Sequence, residues 1–488
     1  VFEETVWSLI PPLLAITLAI VTRQVFLALG LGIVSGAIML EASFWPGMAR
    51  SVELVVETLN DPSNAMVVLF TFVIGSLISS MESLGGIRGF VNWLEHSGWL
   101  KGERSVKVLV WLVGVLIFIE SNITILVAGA LARPLFDKFK ISREKLAYLI
   151  DSTSAPICLV IPFNAWGAYI ISILQTLGEP EPVSLFVRSI LYNFYSLFAV
   201  FLALMTALFA FDLGPMKKAE ARTRAGQLLS DGAQPMVDES LFAPPDETVT
   251  PSGWLMIAPI LTLVFMMPMS LYITGLSEVA NPATATAMDV IKSGQGAVSV
   301  LWSVLAALAL LWIMSAFRSI GGGKGVGATL DELVRFSIKG AQGMLPLALI
   351  ILMALTLGSV TKLLGTGAFV AQVASANMSA AVFLPVIFIV AAFVAFSTGT
   401  SWGTFAIMVP VALPAAAAFG VAKAPFLAAA LSGGIFGDHA SPISDTTIMA
   451  SMAAVTDHVD HVRTQLPYAL LAGGGAIVAY FLVGLFLL

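Results

Sequence analysis

Residues 424–452 read APFLAAALSGGIFGDHASPISDTTIMASM. A run of apolar and small residues is cut by Asp438-His439 and Ser441-Pro442, and it resumes after Asp445-Thr446-Thr447. Crossing a bilayer takes about 20 mostly apolar residues as a helix, so the stretch is long enough to cross. Proline removes a backbone donor and disfavours helix in the residue before it. The stretch therefore reads as a broken helix, unwound at the Asp–Pro motif. Residues 146–176 read the same way around Asp151-Ser-Thr-Ser-Ala-Pro156. Gly399, Gly403, Gly437, Pro442 and Pro156 are the residues that would permit the breaks.

The rest of the chain has the composition of a membrane protein. It holds 488 residues, 58% hydrophobic and 11% charged, with mean hydropathy +0.94. Soluble domains run at about 45–50% apolar and about 25% charged. A soluble globule, a disordered chain and a collagen are excluded, and a pI near 5.3 leaves no basic footprint for nucleic acid. The apolar runs are continuous rather than alternating, which excludes a β-barrel. The single Cys158 allows no internal disulfide.

Clear spans fall at 6–22, 25–42, 64–82, 186–211, 253–275, 293–316, 342–361 and 464–487. Stretches 105–138 and 380–419 carry polar tips at 120–124 and 397–404 and read as re-entrant hairpins. A shift of 279 residues aligns the order of these features between the two parts of the chain. The sequence predicts an all-α polytopic membrane protein of two inverted repeats, each about five transmembrane helices plus one re-entrant hairpin, with broken helices at the midplane. An N-terminal membrane repeat (1–212) and a C-terminal one (253–488) flank a polar cytoplasmic linker (213–252). With both termini outside, 19 of the 24 lysines and arginines lie on the inner side.

Acids inside a membrane cost about 2.5–3.5 kcal/mol each and default to function. Four are candidates: Glu120, Asp151, Asp438 and Asp445. Ser121, Asn122 and Thr124 crowd the first tip, and Ser154 follows Asp151. Thr400 and Ser401 lie at the second tip, with His439, Ser441 and Thr446 around the C-terminal acids. Carboxylates, hydroxyls and freed carbonyls suit a hard cation. Burial disfavours the charged form of a carboxylate, so one acid can exchange a cation for a proton. His439 reads either as a proton site or as a donor to Asp438. Asn164, Trp166 and Tyr169 either line a cavity or pack. Isolated serines such as Ser76 and Ser432 read as packing residues, and Asp457, His458, Asp460 and His461 as a solvated helix end or gate rather than a metal cluster. A channel, or an intramembrane hydrolase built on Ser441, His439 and Asp445, fits two copies of the motif less well than a transporter does.

The motif Gly437-Asp-His-Ala-Ser-Pro-Ile-Ser-Asp-Thr-Thr447 resembles the signature of the NhaC-type Na+/H+ antiporter family, as does Thr456-Asp-His-Val-Asp-His-Val-Arg-Thr-Gln-Leu-Pro467. Gly399-Thr-Ser-Trp-Gly-Thr404 and Ile141-Ser-Arg-Glu-Lys-Leu-Ala-Tyr148 are similar to it too. The resemblance runs from about residue 64 to the C-terminus. It departs at Glu120-Ser121, where many such chains carry an acidic pair, and near Ile170, where they tend to carry an acid. That family belongs to a wider superfamily with the divalent-anion/sodium symporters, whose Ser-Asn-Thr tips Ser121, Asn122 and Thr124 resemble. The resemblance implies Na+/H+ antiport with no catalysis and no cofactor beyond Na+. It places Na+ on Asp438, Asp445, Ser441 and Thr400, with elevator-type motion in a homodimer in a bacterial inner membrane. The alternative is Na+- or H+-coupled transport of a small metabolite, a carboxylate or amino acid.

Overall fold

The computed structural model describes residues 2–22, 25–96, 102–118, 121–162, 164–209, 211–235, 250–279, 286–292, 294–321, 325–366, 369, 379–442 and 444–487. Among them every regular element is a helix, and the only strand-like pairing is an isolated bridge between Pro235 and Asp457.

The first part opens with α1 (Ile10–Thr22), α2 (Val25–Glu41), the amphipathic α3 (Phe44–Asn60), α4 (Pro62–Ser83) and α5 (Gly86–His96). A helical hairpin follows, α6 (Glu103–Leu116) and α7 (Ser121–Lys138). Then comes a helix in three pieces, α8 (Arg143–Ser152), α9 (Ala155–Val160) and α10 (Ala165–Thr176). Ser142 caps α8 by accepting from the Lys145 amide, and Asn164 caps α10 by accepting from the Gly167 amide. The bent pair α11 (Pro182–Ile190) and α12 (Phe194–Leu208) closes this part.

After α13 (Gly214–Arg224) the order is similar. There are α14 (Trp254–Glu278), the short α15 (Ala287–Lys292), α16 (Gly296–Gly321), the amphipathic α17 (Val326–Gly343) and α18 (Leu345–Leu363). The second hairpin is α19 (Ala380–Thr398) and α20 (Ser401–Phe419). The second broken helix is α21 (Lys423–Ala440) and α22 (Asp445–Ala454), followed by the long α23 (His458–Phe486).

The two parts interlock. α4 packs on α16 and α17, and α18 packs on α2 and α3. α22 packs on α7 and α8, and α12 packs on α23. Every residue of α8 is buried, as is every position of α20 from Ser401 to Pro410 and most of α21. Large apolar side chains such as Phe201, Phe265, Phe317 and Phe486 face outward instead. A core of broken polar helices inside an apolar exterior is the arrangement a bilayer demands.

Both expected breaks are present, at 153–154 and 441–444. Only some of the expected breakers act there. Gly399 ends α19 in the left-handed region at φ 68°, Pro442 lies in the second break, and Pro156 sits in the first turn of α9. Gly403 and Gly437 lie inside helices. Among the described residues five helices are long and apolar enough to span, or seven if each bent pair is one span. This is fewer than the ten crossings expected. α1 and α2 are shorter, and the pieces of the broken helices are too short singly. The arms of the second hairpin have 19 residues each, about 28 Å at 1.5 Å per residue.

The start of the linker is docked rather than free. Glu220 of α13 accepts from the Ser142 amide and hydroxyl (3.1 and 2.6 Å), and Arg222 donates to Glu144 (2.7 Å). Further on, Ser230 donates to Asp460, and the Gln234 amide donates to Asp457 (2.8 Å). The segment thus ties the start of α8 to the start of α23.

Gly437 serves close packing. A Cβ there would meet the Ala392 carbonyl oxygen at 2.0 Å, and one at Gly433 would meet that of Phe388 at 2.3 Å. Both pairs are four residues apart, so one face of α21 lies directly on one face of α19. Gly437→Ala is expected to destabilise by about 1–3 kcal/mol through overpacking, read as a lower melting temperature of the purified protein. An unchanged melting temperature would contradict this contact.

Candidate functional site

The end of α21 gathers most of the candidate residues. Successive helical residues point about 100° apart, so Asp438 and His439 face different neighbours. Asp438 is buried and turns to the tip of the second hairpin, where the Ser401 hydroxyl donates to its Oδ2 at 2.6 Å. Its Oδ1 is buried and has no hydrogen-bond partner among the described residues. Ser441 follows the helix end and donates through Oγ to the Phe396 carbonyl at 2.6 Å. That bond holds the break of α21 against the first arm of the hairpin. Thr400 is the residue before α20, with extended backbone, and its carbonyl accepts from Thr404.

His439 turns away from Asp438 and toward the first break. Its Nδ1 is hydrogen-bonded to the Tyr195 hydroxyl at 2.6 Å, and its Nε2 to the Ser152 hydroxyl at 3.2 Å. The same Nε2 lies 3.8 Å from Asp151 Oδ2. His439 therefore faces the acid of the other broken helix and is hydrogen-bonded to Tyr195 and Ser152 rather than to Ser441.

Asp151 is fully buried at the end of α8. Its Oδ2 accepts from Thr447 Oγ1 at 3.0 Å and Gln465 Nε2 at 2.6 Å, while its Oδ1 has no partner among the described residues. Ser154 donates to the Asp151 carbonyl at 2.9 Å and so finishes the helix end. Thr446 lies beside Ser444, whose hydroxyl is 3.0 Å away and accepts from the Thr447 amide at the start of α22. Asp445 is the first residue of α22, but its side chain lies outside the described residues.

At the first hairpin, Ser121 and Thr124 are buried at the start of α7. Thr124 donates to the Ile117 carbonyl across the tip. Asn122 belongs to α7, but its side chain lies outside the described residues, as does Glu120 altogether. The chain thus brings Asp438 to Ser401 and Asp151 to His439.

Several partners went unassigned in the sequence. Gln465 donates to Asp151 and to the His439 carbonyl (2.7 Å), and its Oε1 is bonded to His461 Nε2 at 2.9 Å. His461 is buried and joined to Ser451 at 2.8 Å, so it is no solvated helix end. His458 joins the same Ser451 at 2.9 Å and reaches the Pro442 carbonyl at 2.6 Å. The signal was present in the spacing: His461, Gln465 and Tyr468 fall on one helical face, and all three are buried. Among the described residues no three His, Cys, Asp or Glu side chains gather to hold a metal. Ser76 donates to the Phe72 and Ser337 carbonyls, and Ser432 to Asn193, the packing roles expected of them.

Trp166 and Tyr169 pack on the second tip. Their rings lie 4.7 and 5.0 Å from that of Trp402, and Tyr169 donates to the Trp402 carbonyl at 3.0 Å. Asn164 is spent on local backbone, donating to the Cys158 and Ile161 carbonyls.

Buried acids at helix breaks, beside a hairpin tip in an apolar shell, define the class as a secondary transporter of the membrane. Sequence comparison then places the chain. The profile of the Na+/H+ antiporter family matches residues 176–485, and the chain belongs to that family. An uncharacterized protein of Haemophilus influenzae is 35% identical over 99% of this chain and 92% of its own length. The arginine/ornithine antiporter ArcD of Halobacterium salinarum is 30% identical over 38% of each chain. The malate-2H(+)/Na(+)-lactate antiporter of Bacillus subtilis is 35% identical over 17% of this chain and 18% of its own. The fold is shared with the Alcanivorax borkumensis YdaH transporter, whose topology is described as unusual. The TM-score is 0.59 at 15% identity, over 94% of this chain and 98% of that one. It is also shared with Neisseria gonorrhoeae MtrF, with TM-score 0.53 at 14% identity over 90% and 84%.

Gln465→Leu keeps the volume but removes both donated bonds and leaves Asp151 with fewer partners. A buried acceptor that loses its donor costs about 1–3 kcal/mol. The variant is expected to melt at a lower temperature than wild type, and equal melting would show that Gln465 carries no such load.

Proposed function

We propose that this protein exchanges Na+ for H+ across the membrane. The observation that carries this reading is Asp438. One of its oxygens accepts from Ser401, and the other is buried with no partner among the described residues. An oxygen in that state suits a hard cation or a proton, and competition for it couples the two. Asp438, Asp445, Ser441 and Thr400 would supply the Na+ oxygens. Asp151, with Ser154 beside it, would be the counterpart in the other half, and Glu120, Ser121, Asn122 and Thr124 would shape the first tip. His439 and Thr446 join the two half-sites. No catalytic step and no resident cofactor is needed. The two parts would be inverted repeats whose hairpins stop inside a bacterial inner membrane, with both termini outside, and the chain would act as a homodimer moving by alternating access.

A second reading is cation-coupled antiport of a small metabolite. It is favoured by two relatives that are antiporters of arginine/ornithine and of malate and lactate.

Proteoliposomes with a pH-sensitive dye and an imposed Na+ gradient test the first reading. Wild type is expected to move protons when Na+ is added, and Asp438→Asn to fall to the level of empty vesicles while still folded. Wild-type exchange in Asp438→Asn would overturn the assignment. A folded wild type that moves no protons would leave metabolite antiport.

A further inference from the structure

A cavity of about 360 Å³ lies where Lys362, Lys423, Glu179 and Glu4 meet apolar residues of α20. Its volume is in the range of small-molecule sites. The charges in it are not equivalent. Lys423 is held by Glu179 at 2.5 Å, so that pair is neutral. Lys362 donates only to the Thr176 carbonyl at 2.9 Å and has no acid partner among the described residues. Glu4 lies along Gly365, and its carboxylate has no ion-pair partner among the described residues. One free positive and one free negative charge therefore share a pocket whose other walls are Leu177, Pro410, Leu413, Pro414 and Ala417.

Its walls Leu177 and Pro410 also border a separate space of about 10 Å³, room for one water, between α10, α18 and α20, which Ala406, Ile173 and Gly358 also line. Trp402, Ala406, Pro410 and Pro414 are spaced four apart on α20, and Tyr169 and Ile173 of α10 are spaced likewise with Leu177, the residue that follows it. One face of each helix thus runs from the cavity to the Tyr169–Trp402 contact. The residue next to Trp402 is Ser401, which holds Asp438.

We propose that this cavity is a recognition vestibule for a small zwitterion with an apolar side chain. Its carboxylate is taken by Lys362 and its ammonium by Glu4, while Leu177, Leu413 and Pro414 receive the apolar side chain. A dicarboxylate would instead need Lys423 released from Glu179. The vestibule stands on its own residues, and its coupling to ion movement rests on the reading of Asp438 given above.

The test is equilibrium binding to the full chain in nanodiscs with three probes that differ by one group each. They are L-leucine, 3-methylbutylamine without the carboxylate, and 4-methylpentanoate without the ammonium. Leucine is expected to bind, and each analogue to bind at least about tenfold more weakly, the weight of one charge-assisted contact. Lys362→Gln and Glu4→Gln are expected to weaken leucine by a similar factor, and Lys362→Arg to retain most of the affinity. No leucine binding, equal binding of the analogues, or leucine binding unchanged in Lys362→Gln would each overturn the vestibule. Na+-driven proton movement by the same wild-type preparation without leucine reports on Asp438 separately, so the two readings fail independently.

Discussion

A helix that stops inside a buried core leaves carbonyl oxygens that water cannot reach, and each must find a donor from the protein. In this chain the donors are side chains a short reach away. Ser441 donates to the Phe396 carbonyl, Ser154 to that of Asp151, and Thr124 to that of Ile117. The Cys158 thiol lies 3.6 Å from the Phe118 carbonyl at the first hairpin. Two of these bonds cross between elements and two stay within a break or a tip. Without them the breaks would be too costly to bury, and the acids carried at the breaks would have no place in the core.

The same requirement makes α21 the hub of the molecule. Its glycines allow it to lie on α19, its Asp438 meets the second tip, and its His439 meets Asp151 and Tyr195. From Asp151 the hydrogen bonds continue through Gln465, His461, Ser451 and His458 to the Pro442 carbonyl, back in the break of α21. The start of α23, which carries both histidines, is held by the linker through Asp457 and Asp460. A change at Asp151 therefore presses on a chain of polar contacts that ends in the break of α21, and that chain is tied to the segment joining the two parts of the protein.

Much of the fold was legible one helix at a time. Hydropathy marked the apolar helices, and proline beside aspartate marked both broken ones. The roles of glycine were read less well. Gly399 does end a helix with positive φ, whereas Gly437 is needed because another backbone lies against it. A local pattern cannot separate these uses, since both need only a missing side chain. In the polar cluster at 457–461, Asp457, His458 and Asp460 are not buried, and only His461 departs from the solvated reading. Charge at a helix start suggests solvent, but His461 points inward to Ser451 and Gln465.

By itself the sequence determined that the protein is a helical membrane protein, that two of its helices break near Asp151 and Asp438, and which hydroxyls lie beside those acids. These properties follow from the cost of placing each residue and each peptide group in apolar surroundings, and that cost is local. Only the tertiary structure decided the partners: Ser401 for Asp438, His439 and Gln465 for Asp151, and Lys362 with Glu4 around one cavity. The Asp151 pairings with Thr447 and Gln465 join residues 296 and 314 positions apart. At such separations the pairing is set by how α8, α22 and α23 pack, which no stretch of sequence carries alone.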